Sequence, residues 1–220
     1  MILTCAMLTG QSDEHLVSFG KHRLQAEAAN AFLAMQAQAK LTGFNLQPAS
    51  TFRDFYRQQT IWNEKFAGLR LVLDQNSQPL DIHALNVEQL CHAILHWSAL
   101  PGASRHHWGT DLDIYDPDLL PENSKLQLEP WEYEEGGYFR ALTEWLSENM
   151  AGYGFYRPFT TSGSAVAEEP WHLSYQPLSQ QYENQLTPAL LLDVWQAHII
   201  AGHSWLTSHL DEVFTRYISG

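Results

Sequence analysis

The segment SRHHWGTDLDIYD, residues 104–116, decides how this chain is read. Leu112 and Ile114 alternate with Asp111, Asp113 and Tyr115, the strongest period-two pattern in the sequence. Such alternation predicts a strand with the two aliphatic side chains turned to a core and Asp113 on the opposite face. His106 stands seven residues before Asp113. Seven residues would separate the pair by roughly 10 Å in a helix or roughly 23 Å in a straight strand. They can meet only if the chain folds back, and Gly109 is the residue that tolerates a tight reversal. With His172 they supply two imidazoles and one carboxylate, a donor set that suits a catalytic zinc site with one position left for water.

The second informative segment is AEEPWHLSY, residues 167–175. Glu169 precedes His172 by three positions, which a straight strand would place on opposite faces. A bend at Pro170 is therefore expected, bringing Glu169 to the same site. Zinc lowers the pKa of a coordinated water to about 7, and a neighbouring carboxylate can take its proton as an amide is attacked. Glu169 is the expected base, with Glu168 as the neighbour that would displace it. A donor for the developing oxyanion or for a substrate carboxylate is also needed. Arg53, in STFRDFYRQQ, offers a fixed fork of N–H groups, though it is one of twelve Lys and Arg residues.

Composition narrows the partners. The chain has 220 residues, 45% of them hydrophobic and 17% charged, which fits one globular domain spanning 1–220. A net charge of −13 disfavours nucleic acid and anionic membrane surfaces as partners. Neither a basic cluster nor a glycine-rich phosphate loop offsets that charge. Cys5 and Cys91 are too few for a disulfide framework and suit a reducing compartment. The first residues show no secretory pattern and no run of 18 apolar residues occurs, so a cytoplasmic location is expected.

Around the central segment, helical spacing predicts helices over about 22–41, 57–69, 87–97 and 138–149. Residues 44–52 read as a strand with an irregularity at Pro48, and 155–159 and 171–175 as further short strands. Residues 116–137 carry three prolines and seven acidic residues and read as a long loop. From Thr187-Pro188 the pattern is helical to about 219, with one stripe through Leu190, Leu191, Val194, Trp195 and Ile199 and another through Leu206, Leu210, Val213, Phe214 and Tyr217. Without regular βαβ alternation the expected fold class is α+β: a central, mainly antiparallel sheet flanked by helices, with a C-terminal helical extension. His92 and His96 share a helix face, but no third ligand lies near them, so they read as a solvated face.

The pattern S-x-H-x-x-G-x-x-x-D at Ser104–Asp113, followed by E-P-W-H at Glu169–His172, resembles the VanY-like D-alanyl-D-alanine carboxypeptidases, of the superfamily that includes lysostaphin and hedgehog. F-R-x-F-x-x-Q at Phe52–Gln58 and WLSENMAGYGF at Trp145–Phe155 resemble further segments of that family, so the likeness covers about 22–176. The resemblance implies a hedgehog/DD-peptidase-like fold and one Zn2+ ion on His106, Asp113 and His172. It implies Glu169 as base and Arg53 at the substrate, and Gln58, Ser104, Asp111, Trp171 and Tyr175 are expected as further substrate contacts. Ser104 needs no nucleophilic role where zinc activates water, and Trp171 and Trp108 also suit packing around a site.

The implied activity removes a C-terminal D-alanine from peptidoglycan stem peptides. It would act either by L,D-cleavage of tetrapeptides in recycling, favoured by the expected location, or by D,D-cleavage of pentapeptides. An inactive zinc-binding module and an endopeptidase are the alternatives, and the chain is expected as monomer or homodimer. Three departures touch substrate choice: Asp111 in place of a small Ala, Phe52 and Asp54 around Arg53, and Ser174 where many members have Arg.

Overall fold

The computed structural model describes residues 2–160 and 164–219. In chain order its main elements are α1 (Cys5–Leu8), β1 (Val17–Phe19), β2 (His22–Leu24), α2 (Ala26–Leu41), β3 (Gln47–Ser50), α3 (Phe55–Phe66), α4 (Val87–Leu95), β4 (Asp111–Tyr115), α5 (Arg140–Asn149), β5 (Phe155–Tyr156), β6 (His172–Tyr175), α6 (Gln176–Glu183), α7 (Pro188–Trp195), α8 (His203–Ser208) and α9 (Leu210–Tyr217). The fold is α+β, with antiparallel sheets flanked by helices.

The four-stranded sheet has the order β3-β4-β6-β5, antiparallel throughout. Its centre is the alternating DLDIY segment. Leu112, Ile114 and Leu173 are fully buried on one face, where they meet Phe32 and Met35 of α2 and Leu142 and Leu146 of α5. The opposite face carries Asp111 and Asp113 from β4 with His172 and Ser174 from β6. It too is buried, and the second apolar core, built by α3, α4 and the C-terminal helices, includes the neighbouring Trp108. A sheet face covered by protein and still polar needs its own hydrogen-bond and charge partners.

Several expected boundaries move. The expected helix over 22–41 begins at Ala26, because His22–Leu24 pairs with Val17–Phe19 in a small hairpin. Gly20 permits that turn, taking a left-handed φ of 58°. The strand around Pro48 is short, and its pairing with β4 shifts between Pro48 and Ser50, as a proline that cannot donate to the ladder requires. The helix expected from Arg57 starts two residues earlier at Phe55, because the Asp54 carboxylate accepts the Arg57 N–H and caps it. Residues 176–183 form α6 directly after β6, with Pro177 in its first turn, where a missing N–H costs nothing.

The acidic loop over 116–137 is pinned by its own carboxylates. Asp116 accepts the backbone N–H of Asn45 and of Asp118, each at 2.8 Å. Glu132 is fully buried and accepts the N–H groups of Gln127 and Glu129. In the C-terminal stripes Leu191, Trp195, Leu206, Leu210 and Val213 are buried, whereas Ile199 turns outward. Instead its carbonyl accepts from Gln59 and Asn63 of α3, tying the extension to the domain. No helix among the described residues is long and apolar enough to cross a membrane.

Candidate active site

His106 sits on a single 3-10 turn, Arg105–Trp108, that ends at Gly109 with φ 69°. That left-handed residue supplies the expected reversal, and the chain re-enters as β4 two residues later. A side chain at Gly109 would also collide with Leu16, so backbone and packing both require glycine. On the other strand, the His172 N–H bonds the Glu169 carbonyl at 3.0 Å, closing a turn around Pro170 and Trp171. The bend swings the Glu169 carboxylate to 3.2 Å from His172 Nδ1. Glu168 is exposed and lines a cavity with Trp97 and Trp131.

Asp113 and His172 are direct cross-strand partners in β4 and β6. His106 Nε2 lies 3.3 Å from Asp113 Oδ2, and His172 Nδ1 lies 3.3 Å from Asp113 Oδ1. One ligand atom from each residue lies within 4.8 Å of the others, and no other such group of three donors occurs among the described residues. The side chains of His106, Asp113 and His172 are only 6%, 5% and 3% exposed. Asp113 Oδ1 is buried with no hydrogen-bond partner, an arrangement that costs free energy unless something fills the gap. Two imidazole nitrogens and a carboxylate around such an orphan oxygen fit a zinc ion.

The two histidines use different nitrogens, as their outward contacts dictate. His106 Nδ1 donates to the Thr51 carbonyl at 2.7 Å, leaving Nε2 as its free lone pair. His172 Nε2 donates to Asp111 Oδ1 at 2.9 Å, leaving Nδ1 toward the site. Phe159 packs edge-on against the His172 ring at 5.0 Å between centroids.

Electrostatics favour a positive charge here. Burial disfavours charge on His172, but the carboxylates of Asp111, Asp113 and Glu169 around its ring outweigh it and raise its pKa well above the ordinary value. Burial would also raise the Asp113 carboxyl, yet His106 and His172 hold it well below the usual carboxylate range. A pocket that stabilises a proton on an imidazole among carboxylates offers the same stabilisation to a metal cation.

Arg53 borders the cluster. Its Nη1 donates to Gln58 Oε1 at 2.9 Å, and Gln58 Nε2 is anchored on the Ala99 carbonyl at 2.7 Å. Burial lowers the guanidinium's pKa, while the nearby carboxylates of Asp113 and Glu169 oppose that shift. Arg53 also lines an open cavity of about 330 Å³ with Ser50, Phe52, Asp54, Arg57 and Ile61. A larger cavity of about 800 Å³ is lined by Glu168 with Trp97, Trp131, Glu129 and Glu134.

Of the five further residues expected at the substrate, four are buried and Tyr175 is half-buried. Gln58 is fully buried, and its Oε1 accepts from the Arg53 guanidinium. Trp171 and Tyr175 lie an odd number of residues from His172, hence on the apolar face of β6. There Trp171 packs on Tyr133 and Tyr175 on Phe155. Ser104 is buried at the start of the His106 turn, where its carbonyl accepts the His107 N–H. Asp111 is fully buried, and its oxygens are taken by Arg105, His172, Thr110 and Ser174.

Three other histidines make packing and hydrogen-bond contacts away from the cluster. His107 is wedged between the Arg53 carbonyl and the Gly102 N–H, and burial pushes its pKa down to about 3. His92 bonds the Tyr217 hydroxyl and packs on Trp205, so its helix face is not solvated, while His96 bonds the Ala165 carbonyl. Sequence reasoning missed Arg105 and Lys65. Lys65 donates to Ser98 at 2.7 Å, and burial brings its pKa to about 8 despite the nearby Glu169 carboxylate. For Arg105 the signal was present: a cation six residues before Asp111 across the Gly109 reversal.

Residues 21–178 match the model of the VanY family, D-alanyl-D-alanine carboxypeptidase, and the chain belongs to that family. Two uncharacterized proteins of Haemophilus influenzae are similar to it: one is 50% identical over 121 residues (54% of this chain, 92% of the relative), the other 54% identical over 105 residues (46% and 72%). The fold is similar to VanYB in complex with D-alanine-D-alanine, with TM-score 0.56 and 23% identity over 83% of this chain and 90% of that one. A vancomycin-resistance D,D-pentapeptidase VanY in complex with Zn(II) gives TM-score 0.53 and 23% identity over 82% and 91%. The LD-carboxypeptidase LdcB gives 0.55 and 22% over 81% and 77%.

Proposed function

We propose that this chain is a zinc-dependent carboxypeptidase that removes the C-terminal D-alanine of peptidoglycan stem peptides. The observation that carries the reading is the buried cluster of His106 Nε2, Asp113 and His172 Nδ1, with Asp113 Oδ1 unpartnered and Glu169 and Arg53 at its edge. His106, Asp113 and His172 would hold the ion. A zinc ion bound there would supply Lewis acidity toward a peptide carbonyl and bring a water's pKa to about 7.

The chain's own residues divide the remaining work. Glu169 accepts the proton of the attacking water and returns it to the nitrogen of the departing D-alanine as the C–N bond breaks. Its side chain is 15% exposed, so it is largely shielded from solvent yet reachable. Arg53, fixed by Gln58, presents N–H donors to the substrate's negative oxygens, either the terminal carboxylate or the carbonyl oxygen as charge develops. Glu169 also weighs against an inactive zinc module, which has no use for a base beside the ligands.

The test is to incubate the zinc-loaded protein with matched tetra- and pentapeptide stems and weigh the products. Release of one D-alanine is expected. Loss from the tetrapeptide identifies L,D-cleavage and loss from the pentapeptide D,D-cleavage. Release from neither overturns the proposal, and cleavage within a cross-linked peptide alone would make the enzyme an endopeptidase.

A further inference from the structure

Behind His172, on the side away from the donor cluster, lies a charged network that the proposed reaction does not use. Arg105 enters it with only 13% of its side chain exposed. Its Nε donates to Asp111 Oδ1 at 2.9 Å and its Nη2 to Ser174 Oγ at 2.8 Å and the Tyr156 hydroxyl at 2.9 Å. Its Nη1 donates to Glu183 at 2.6 Å, and the guanidinium lies 4.8 Å from the centre of the Trp108 ring. Asp111 receives two more bonds, from Thr110 Oγ1 at 2.6 Å and Ser174 Oγ at 3.0 Å. Its remaining contact is the His172 Nε2–H at 2.9 Å.

A buried ion pair is a poor source of stability, because apolar residues of similar volume often do as well or better. What an apolar pair cannot supply is an anion at hydrogen-bond distance from the far nitrogen of His172. Strand geometry places it there. Asp111 and Asp113 project from the same face of β4, paired with Ser174 and His172 across β6, so His172 has one aspartate directly opposite and another on the diagonal. The contrast with His106 is instructive: its distal nitrogen meets a neutral backbone carbonyl, that of Thr51.

We infer that Asp111, held by Arg105, is the positioning residue of the metal centre: it fixes the His172 ring with Nε2 protonated and Nδ1 presented to the ion. This rests on the proposal that the cluster binds zinc. A carboxylate on the outer nitrogen of a ligating imidazole fixes its tautomer and strengthens it as a donor, and losing such a partner typically weakens metal binding about 10–100-fold.

The experiment measures zinc affinity by competition with a chromogenic chelator, together with 15N NMR of the histidine side chains in the zinc-loaded parent. D111N keeps the shape and removes the charge; the double variant R105M/D111A removes cation and anion together, leaving no unpaired buried charge. Both are expected to bind zinc about 10–100-fold more weakly than the parent. E183Q, altered only at the outer end of the network, is expected to stay within about threefold, since it never touches His172. In the parent, His172 is expected to coordinate through Nδ1 and show a slowly exchanging Nε2–H. Folded variants with parental zinc affinity overturn the inference, as does coordination through Nε2 in the parent, which needs no variant to fold. A parent that takes up no zinc overturns the metal reading instead.

Discussion

Zinc will raise the thermal stability of this protein, and Asp113 will be required for the rise. The donors of His106, Asp113 and His172 converge only because β4 pairs with β6 and Gly109 reverses the chain, so the unfolded state has no such cluster. An ion that binds only the folded form stabilises it by about 2.7 kcal/mol at a free concentration 100 times its Kd. At this chain length each kcal/mol moves Tm by about 2–4 °C, giving an expected rise of about 5–11 °C. Losing one of three ligands will weaken binding by more than the roughly 100-fold typical of losing an outer partner. Asp113→Asn at the same zinc concentration will therefore gain less than about 0.4 kcal/mol, under about 2 °C. Calorimetry of chelator-treated protein with and without zinc measures both numbers. Equal rises in parent and variant would place the ion elsewhere and refute the reasoning.

Further predictions follow from the same geometry. Glu169→Gln will lower kcat on a stem peptide by about 10²–10⁴-fold, whereas Glu168→Gln, outside the cluster, will change it by less than about threefold; steady-state kinetics separates them. Gln58→Ala will lower kcat/KM in the same direction as Arg53→Ala but by less, since Gln58 acts by aiming Arg53; a kcat/KM for Gln58→Ala equal to the parent's would contradict that role. Leu112→Ala, which empties a fully buried position against α2 and α5, will cost about 2–5 kcal/mol in urea unfolding. His107 supplies a pH dependence in the metal-free protein. Its folded pKa of about 3 lies below the ordinary 6.5, so the unfolded chain takes up the proton first. Stability present above pH 6.5 is then lost as pH falls toward 3, by up to roughly 4–5 kcal/mol. Urea midpoints at pH 7 and pH 4 in the parent and His107→Gln will show the shallower dependence in the variant.

The elements that carry the site were the most legible because their residues restrict the backbone. Alternation in DLDIY marked β4, Gly109 marked the reversal, and Pro170 marked the bend, and each appears where the spacing required it. Strand parity also carried information left unused. Trp171 and Tyr175 stand one and three positions from His172, so a strand there directs them away from its face. Asp111 was a different case. Parity puts it beside Asp113, but its partners His172 and Ser174 lie on β6, sixty residues on, and Arg105, which holds it, is bonded in turn by Tyr156 and Glu183, which only strand pairing and the α6 packing bring near. The β1–β2 hairpin has three residues per strand, too few for periodicity to register, and α6 was hidden by a proline that reads as a break until its place in the first turn is known.

One consequence of the two-faced sheet concerns folding fidelity. Apolar core and donor cluster are printed on alternate residues of the same two strands, so sliding β4 by one residue against β6 would turn Asp113 into the oil and Leu112 toward the ligands. Metal capture at this cluster would therefore act as a proofreading event for strand alignment, since only a correctly registered molecule brings the three donors together. The donor cluster also cannot drift independently of the hydrophobic core, because any change of phase in one is the same change in the other.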